Sequence, residues 1–205
     1  MALRLSVNLY GESHLSGHRD FRPHFEDAFN RCQEQRKQMF HIGSIWGDGG
    51  LRFKNRSRIS PMLSDIADGD GEVRYGQVGV TGKVIILLLG SNDQRDLMKI
   101  HDKAEKTERI RQAAVHIDWL LKRITAIPNI AKVILVPTVI DQKQSCQEFL
   151  RTVKQVARVH EAQVMMRTRL SKQDGDFIGD GVHLSTSGYA KLARKIVNHL
   201  INLKI

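Results

Sequence analysis

Leu3 to Tyr10 is apolar-rich and breaks at Gly11, the pattern of a buried strand followed by a turn. From Leu15 to Gln38 the chain is mostly polar, but Phe21, Phe25, Ala28, Phe29 and Cys32 recur at helical spacing. Pro23 suits the first turn of that helix. Met39 to Ile45 predicts a second strand, ending in the turn-rich Trp46-Gly47-Asp48-Gly49-Gly50. Residues 51 to 79 are the least regular. Arg52, Lys54, Arg56 and Arg58 alternate, which on an extended strand would set four cations on one face. Pro61 to Ala67 suits a short helix, and Asp68-Gly69-Asp70-Gly71-Glu72 an acidic surface loop.

Lys83 to Leu89 is a near-continuous apolar run stopped by Gly90, as in a central parallel strand buried on both faces. Residues 96 to 126 predict one long helix, with Ile110, Ala113, Ala114, Ile117, Leu120, Leu121 and Ile124 on a single stripe. Lys132 to Ile140 predicts a fourth strand, Cys146 to Glu161 a helix, and Gln163 to Met166 a short last strand. Lys172 to Asp180 is a Gly/Asp-rich loop, and Ser185 opens a final helix with Tyr189, Leu192, Ile196 and Leu200 inward. Strands alternating with helices imply a parallel sheet covered on both faces. No repeat or linker divides the chain, so residues 1–205 read as one domain.

Composition narrows this picture. At 41% apolar and 26% charged, the chain is neither disordered nor collagen-like. The longest apolar run, Val84 to Leu89, is far short of the ~20 residues that span a bilayer. The first residues lack a basic start, a long apolar stretch and a cleavage site. The expectation is an intracellular chain, or a domain of a longer protein. Cys32 and Cys146 are read as reduced core thiols. Lys and Arg outnumber Asp and Glu by 32 to 22, a net +10. That balance favours polyanionic partners, nucleic acid or an anionic membrane surface, or it serves solubility alone.

In an open α/β sheet the functional loops follow the carboxyl ends of the strands. Here those loops contain Gly11-Glu12-Ser13-His14-Leu15, Gly43-Ser44-Ile45-Trp46-Gly47-Asp48-Gly49-Gly50, Gly90-Ser91-Asn92-Asp93 and Asp180-Gly181-Val182-His183-Leu184-Ser185. Taken singly, each is equally well read as turn or cap chemistry. Together they supply a hydroxyl, a loop glycine, a carboxamide, a carboxylate and an imidazole, the inventory of acyl transfer through serine.

In this combination and order the loops resemble the SGNH (GDSL-type) hydrolases, over nearly the whole chain. The resemblance implies a three-layer, flavodoxin-like α/β fold with a parallel sheet of about five strands. It implies Ser13 as nucleophile, His183 as base and Asp180 as its partner. The Ser13 N–H, the Gly47 N–H and the Asn92 carboxamide would form an oxyanion hole, with Gly49 or Gly50 alternatives to Gly47. Position 12 is Glu where the family has Asp. The implied reaction is hydrolysis of a carboxylic ester, with no metal or organic cofactor. Few bulky apolar residues mark the loops (Leu15, Trp46, Phe177, Ile178), so short acyl chains are expected. Gly-Glu-Ser-His-Leu, the basic balance and the Asp-Gly-Val-His-Leu-Ser-x-x-Gly-Tyr ending also resemble the esterase domains of some animal retrotransposon proteins.

Two further readings stay open: a binding module acting through a basic surface, and an acyltransferase using the same site. His14 and His18 lie four apart, with His24 nearby, and suit polar residues near a site better than a metal centre. The Gly-x-Ser-x-Gly elbow of α/β-hydrolases is absent, since Ser13 is followed by His14-Leu15-Ser16-Gly17.

Overall fold

The computed structural model describes residues 4–15, 21–31, 40–68, 80–137, 139–141, 145–166 and 168–203. Five strands form one parallel sheet: β1 (Arg4–Gly11), β2 (Phe40–Gly47), β3 (Val80–Leu88), β4 (Ile130–Leu135) and β5 (Gln163–Val164), in the order β2-β1-β3-β4-β5. The helices are α1 (Phe21–Asn30), α2 (Arg56–Asp68), α3 (Ser91–Met98), α4 (Lys103–Thr125), α5 (Gln147–Val159) and α6 (Thr186–Ile201). The result is the expected three-layer α/β architecture with five strands.

Each face of the sheet has its own core. On one side Leu5, Val7 and Leu9 of β1 pack with Phe21 and Phe25 of α1 and Leu192 and Ile196 of α6. On the other, Ile85 and Leu87 of β3 meet Ile59 and Met62 of α2, Ile117 and Leu120 of α4, and Phe149 and Val153 of α5. Val84 to Leu89 is fully buried throughout, which is why that run shows no alternation.

Several boundaries differ from the sequence expectation. The predicted helix over 96–126 is two helices. α3 ends at Met98, and α4 starts anew with Asp102 accepting a hydrogen bond from the Glu105 N–H at 2.7 Å. β4 stops at Leu135 rather than Ile140. The Val136 N–H still donates to Leu87 O at 2.8 Å, but Pro137 has no N–H with which to continue. β2 runs through Trp46 to Gly47, so that glycine closes a strand instead of opening a loop.

The largest correction concerns the four alternating cations. They do not share the face of an extended strand, because Arg56 and Arg58 lie in the first turn of α2. Arg52 pairs with Asp96 at 2.6 Å, and Arg58 pairs with Asp48. Helix α2 forms despite Pro61 within it, a residue that costs about 3 kcal/mol in a helix interior. Ile59, Met62 and Ile66 bury completely on one face, each worth roughly 1.5–3 kcal/mol, and this outweighs the proline.

Cys146 is a free, buried thiol; Cys32 and His18 fall outside the described residues, as do residues 69–79. Among the described residues no helix is long and apolar enough to cross a membrane.

Candidate active site

Parallel strands deliver their carboxyl ends to one rim, and the candidate residues start there. Gly11, the last residue of β1, pairs with Gly47 on one side and Leu88 on the other. The Asp48 N–H donates to Gly11 O at 2.9 Å, and the Glu12 N–H donates to Leu88 O at 3.1 Å. Position 11 has to be glycine: a Cβ there would sit 2.4 Å from the Leu88 carbonyl oxygen. The chain then turns in a 3-10 segment, Ser13–Leu15, whose Leu15 N–H donates to Glu12 O at 3.0 Å. Leu15 is buried and anchors the turn. Ser13 thereby lies just past the end of β1, two residues beyond the Gly11–Gly47 pair.

Glu12 is the residue whose role the sequence reading missed. Its side chain is fully buried, and its two carboxyl oxygens accept the backbone N–H groups of Ser91 at 2.8 Å and Asn92 at 3.1 Å. The carboxyl thus ties the residue before the candidate nucleophile to the first turn of α3, where Asn92 sits. Burial pushes the Glu12 carboxyl up to about 7, while the two N–H donors oppose the rise. The signal in the sequence was the acidic residue beside Ser13.

Asn92 is nearly fully buried. Its Nδ2 donates to the Leu51 carbonyl at 3.1 Å, and its Oδ1 accepts from the Arg95 guanidinium one turn on. Those contacts fix which way the carboxamide faces and leave the second Nδ2 hydrogen for another acceptor. Asp93 turns the other way: its carboxylate accepts from the Phe53 N–H at 3.3 Å, and burial pushes it up to about 6.

The Asp180–His183 pair forms as the spacing suggests. Gly181 adopts φ +62°, a left-handed conformation that disfavours side-chain-bearing residues. The turn folds the Asp180 carboxylate back on its own loop. One oxygen accepts the Val182 and His183 N–H groups, both at 2.9 Å, and the other lies 2.5 Å from His183 Nδ1. The ring contact, aided by the two N–H donors, holds the Asp180 carboxyl well below the usual carboxylate range. An ionised Asp180 accepts from Nδ1–H and so favours the tautomer that carries its hydrogen on Nδ1. The loop is tied at its base by the Ile178 N–H to His183 O bond at 2.9 Å and the Ser185 N–H to Asp176 O bond at 2.9 Å.

A cleft of about 480 Å³ has both Asn92 and Val182, the residue before His183, in its walls. Ser13 and Gly47 sit on neighbouring strand ends, and Asn92 is bound to Glu12 through its backbone. Gly49 and Gly50 lie beyond the strand, in the turn that leads to Leu51. The side chain of His14 lies outside the described residues, and the His24 ring stacks on Tyr189 at 5.8 Å.

No family model matches the chain, and no curated protein matches it either. Solved structures do. The acetylxylan esterase Axe2 of Geobacillus stearothermophilus superposes with a TM-score of 0.66 at 14% identity, over 99% of this chain and 96% of that one. LAE5, described as an alpha/beta hydrolase enzyme from the metagenome of Lake Arreo, superposes at 0.61 with 14% identity, over 99% of both chains. The lipase/acylhydrolase of Enterococcus faecalis does so at 0.59 with 18% identity, over 96% and 95%. At such identities the likeness is one of fold. For Axe2, structures of catalytic mutants replace a serine, an aspartate and a histidine by alanine, the aspartate three positions before the histidine.

Proposed function

We propose that this chain is a serine hydrolase of the SGNH type that cleaves carboxylic esters with short acyl chains, acetyl foremost. The observation that carries the reading is the Asp180–His183 contact, 2.5 Å at Nδ1, on a loop that shares a cleft with Asn92. A histidine held by an ionised carboxylate at Nδ1 presents a basic Nε2, the arrangement that activates a serine. The fold supports the reading, since its structural neighbours include an acetylxylan esterase and a lipase/acylhydrolase. So does the Asp–His interval, which equals that of the two residues mutated in Axe2.

In the proposed reaction His183 Nε2 takes the proton of Ser13 Oγ as the oxygen attacks the ester carbonyl. The tetrahedral oxyanion receives the N–H groups of Ser13 and Gly47 and the second Nδ2 hydrogen of Asn92. His183 returns the proton to the departing alkoxide. Water then attacks the acyl-enzyme by the same base and releases the carboxylic acid. Short acyl chains are favoured because, of the four apolar loop residues, Leu15 and Phe177 are spent in the core, which leaves only Trp46 and the exposed Ile178 for an acyl groove.

The test is a p-nitrophenyl ester series of rising chain length, with fluorophosphonate labelling, on wild type and Ser13→Ala. Turnover that falls from butyryl to decanoyl, with turnover and label both lost in Ser13→Ala, is the expected result. Undiminished hydrolysis by Ser13→Ala would overturn the proposal. Labelling of Ser13 with turnover only when an acceptor alcohol is supplied would make the enzyme an acyltransferase. No labelling at all would favour a binding module.

A further inference from the structure

The cleft that contains Asn92 and Val182 is also lined by cations. Arg52, Arg95 and Lys99 face it, with Asp96 the only carboxylate among the described lining residues. Asp96 is already committed: Arg52 holds it at 2.6 Å and lowers its carboxyl below the ordinary range. Arg95 spends one N–H on the neutral oxygen of Asn92 and keeps further donors of its planar fork. Among the described residues no carboxylate pairs with Arg95 or Lys99, and Lys99 is exposed at the end of α3. Asp96 feels the Lys99 charge but is held by Arg52, so two cations outside any ion pair among the described residues stand in the wall that also carries the candidate oxyanion group. A site of that kind recognises an anion, since charge-assisted hydrogen bonds are about twice as strong as neutral ones.

We infer that the ester hydrolysed here carries a negative charge, a carboxylate or phosphate, on its alcohol part, and that Arg95 and Lys99 bind it. This rests on the esterase reading above. With a short acyl group, the alcohol part is the bulky portion of the substrate and the one that needs the cleft. The same charges concentrate anionic substrate at the mouth before binding.

The experiment compares kcat/KM for phenyl acetate and 3-carboxyphenyl acetate, which differ in charge and little in leaving-group acidity. It uses wild type, Lys99→Glu, Lys99→Gln and Lys122→Glu, at low and at physiological salt. Lys99→Gln covers the case in which a negative charge at a helix carboxyl end disturbs folding. Lys122, exposed at the far end of α4, controls for net charge. The expected result is a preference of about 10-fold for the anionic ester in wild type, weakened by salt and retained by Lys122→Glu. Lys99→Gln should lose most of it, and Lys99→Glu should abolish or reverse it. Equal rates on the two esters, or an equal loss in Lys122→Glu and Lys99→Glu, would overturn the inference while leaving the esterase reading intact. Failure of wild type to turn over either ester, with no fluorophosphonate label on Ser13, would overturn the esterase reading itself.

Discussion

In the proposed mechanism Asn92 and Asp180 make two different kinds of contribution. Asn92 offers one donor to the oxyanion in the proposed mechanism and takes no part in activating the nucleophile. Asn92→Ala is expected to lower kcat by ~10²–10³, with Ser13 still labelled by a fluorophosphonate. Asp180→Asn keeps the Oδ1 acceptor for the Val182 and His183 N–H groups but loses the ionised partner of Nδ1. An amide that donates to Nδ1 would select the wrong tautomer, so the loss is expected to exceed that of Asn92→Ala, up to ~10⁴. Steady-state rates on one acetyl ester rank the two; the reverse order would reassign the dominant role to Asn92. Their positions in the fold were legible in the sequence because each is a short polar side chain after a strand or in a Gly-containing turn. Glu12 was not legible in its role. A sequence marks it as the neighbour of Ser13, but only the fold brings Ser91 and Asn92 within reach of its carboxyl.

That carboxyl couples two elements, β1 and α3, and the coupling titrates. Glu12 is fully buried and is raised from 4.5 to about 7 by burial. An acid raised in the folded state holds its proton there while the unfolded chain has lost it. Its contribution to stability is therefore full below about 4.5 and lost as pH rises through about 7. Over that interval the change is about 3 kcal/mol. Glu12→Gln has no such proton, and its amide offers one acceptor where two N–H groups need partners. The stability difference between wild type and Glu12→Gln should be larger at pH 5 than at pH 8, by roughly 2–3 kcal/mol. Denaturant unfolding at the two pH values measures it, and a constant difference would mean that Glu12 titrates as an ordinary carboxyl. Helix ends follow simpler chemistry. Ser185 caps α6 by accepting the Gly188 N–H at 3.1 Å, so Ser185→Ala is expected to cost about 1 kcal/mol. The same signal was present and unread at Asp102, three residues before Glu105. That cap marks the joint between α3 and α4. The Ile110–Ile124 stripe was strong enough to extend the periodicity backwards across residues 99–102, where it does not hold.

At the scale of the molecule, the apolar pattern was the reliable part of the sequence and the charge pattern the unreliable part. Burial fixes a strand or a helix stripe from within, because each apolar position must face one of two cores. A solvated cation carries no such constraint, so the alternation of Arg52, Lys54, Arg56 and Arg58 said nothing about strand or helix. The fold then spends part of that charge internally. Arg52 and Arg58 are paired with Asp96 and Asp48, Arg111 with Glu108 at 2.7 Å, and Lys191 with Asp176 at 2.6 Å. Arg56 and Arg123 each lie over the Trp119 ring, at 4.9 and 4.8 Å from its centroid. The net +10 still predicts attraction to a polyanion, but it is a dispersed field and not a four-cation strip. Binding to a single-stranded RNA oligonucleotide should therefore be weak and non-specific. Each phosphate neutralised contributes ~0.7 to the slope of log K against log salt on a single strand. Few simultaneous contacts predict a shallow slope, about −1 to −3, with Lys54→Glu and Arg56→Glu each weakening binding modestly. Titrations at three salt concentrations decide the matter. A steep slope near −6 or beyond would require a contiguous basic surface. Undetectable binding at the lowest salt would leave the charge to substrate attraction and solubility.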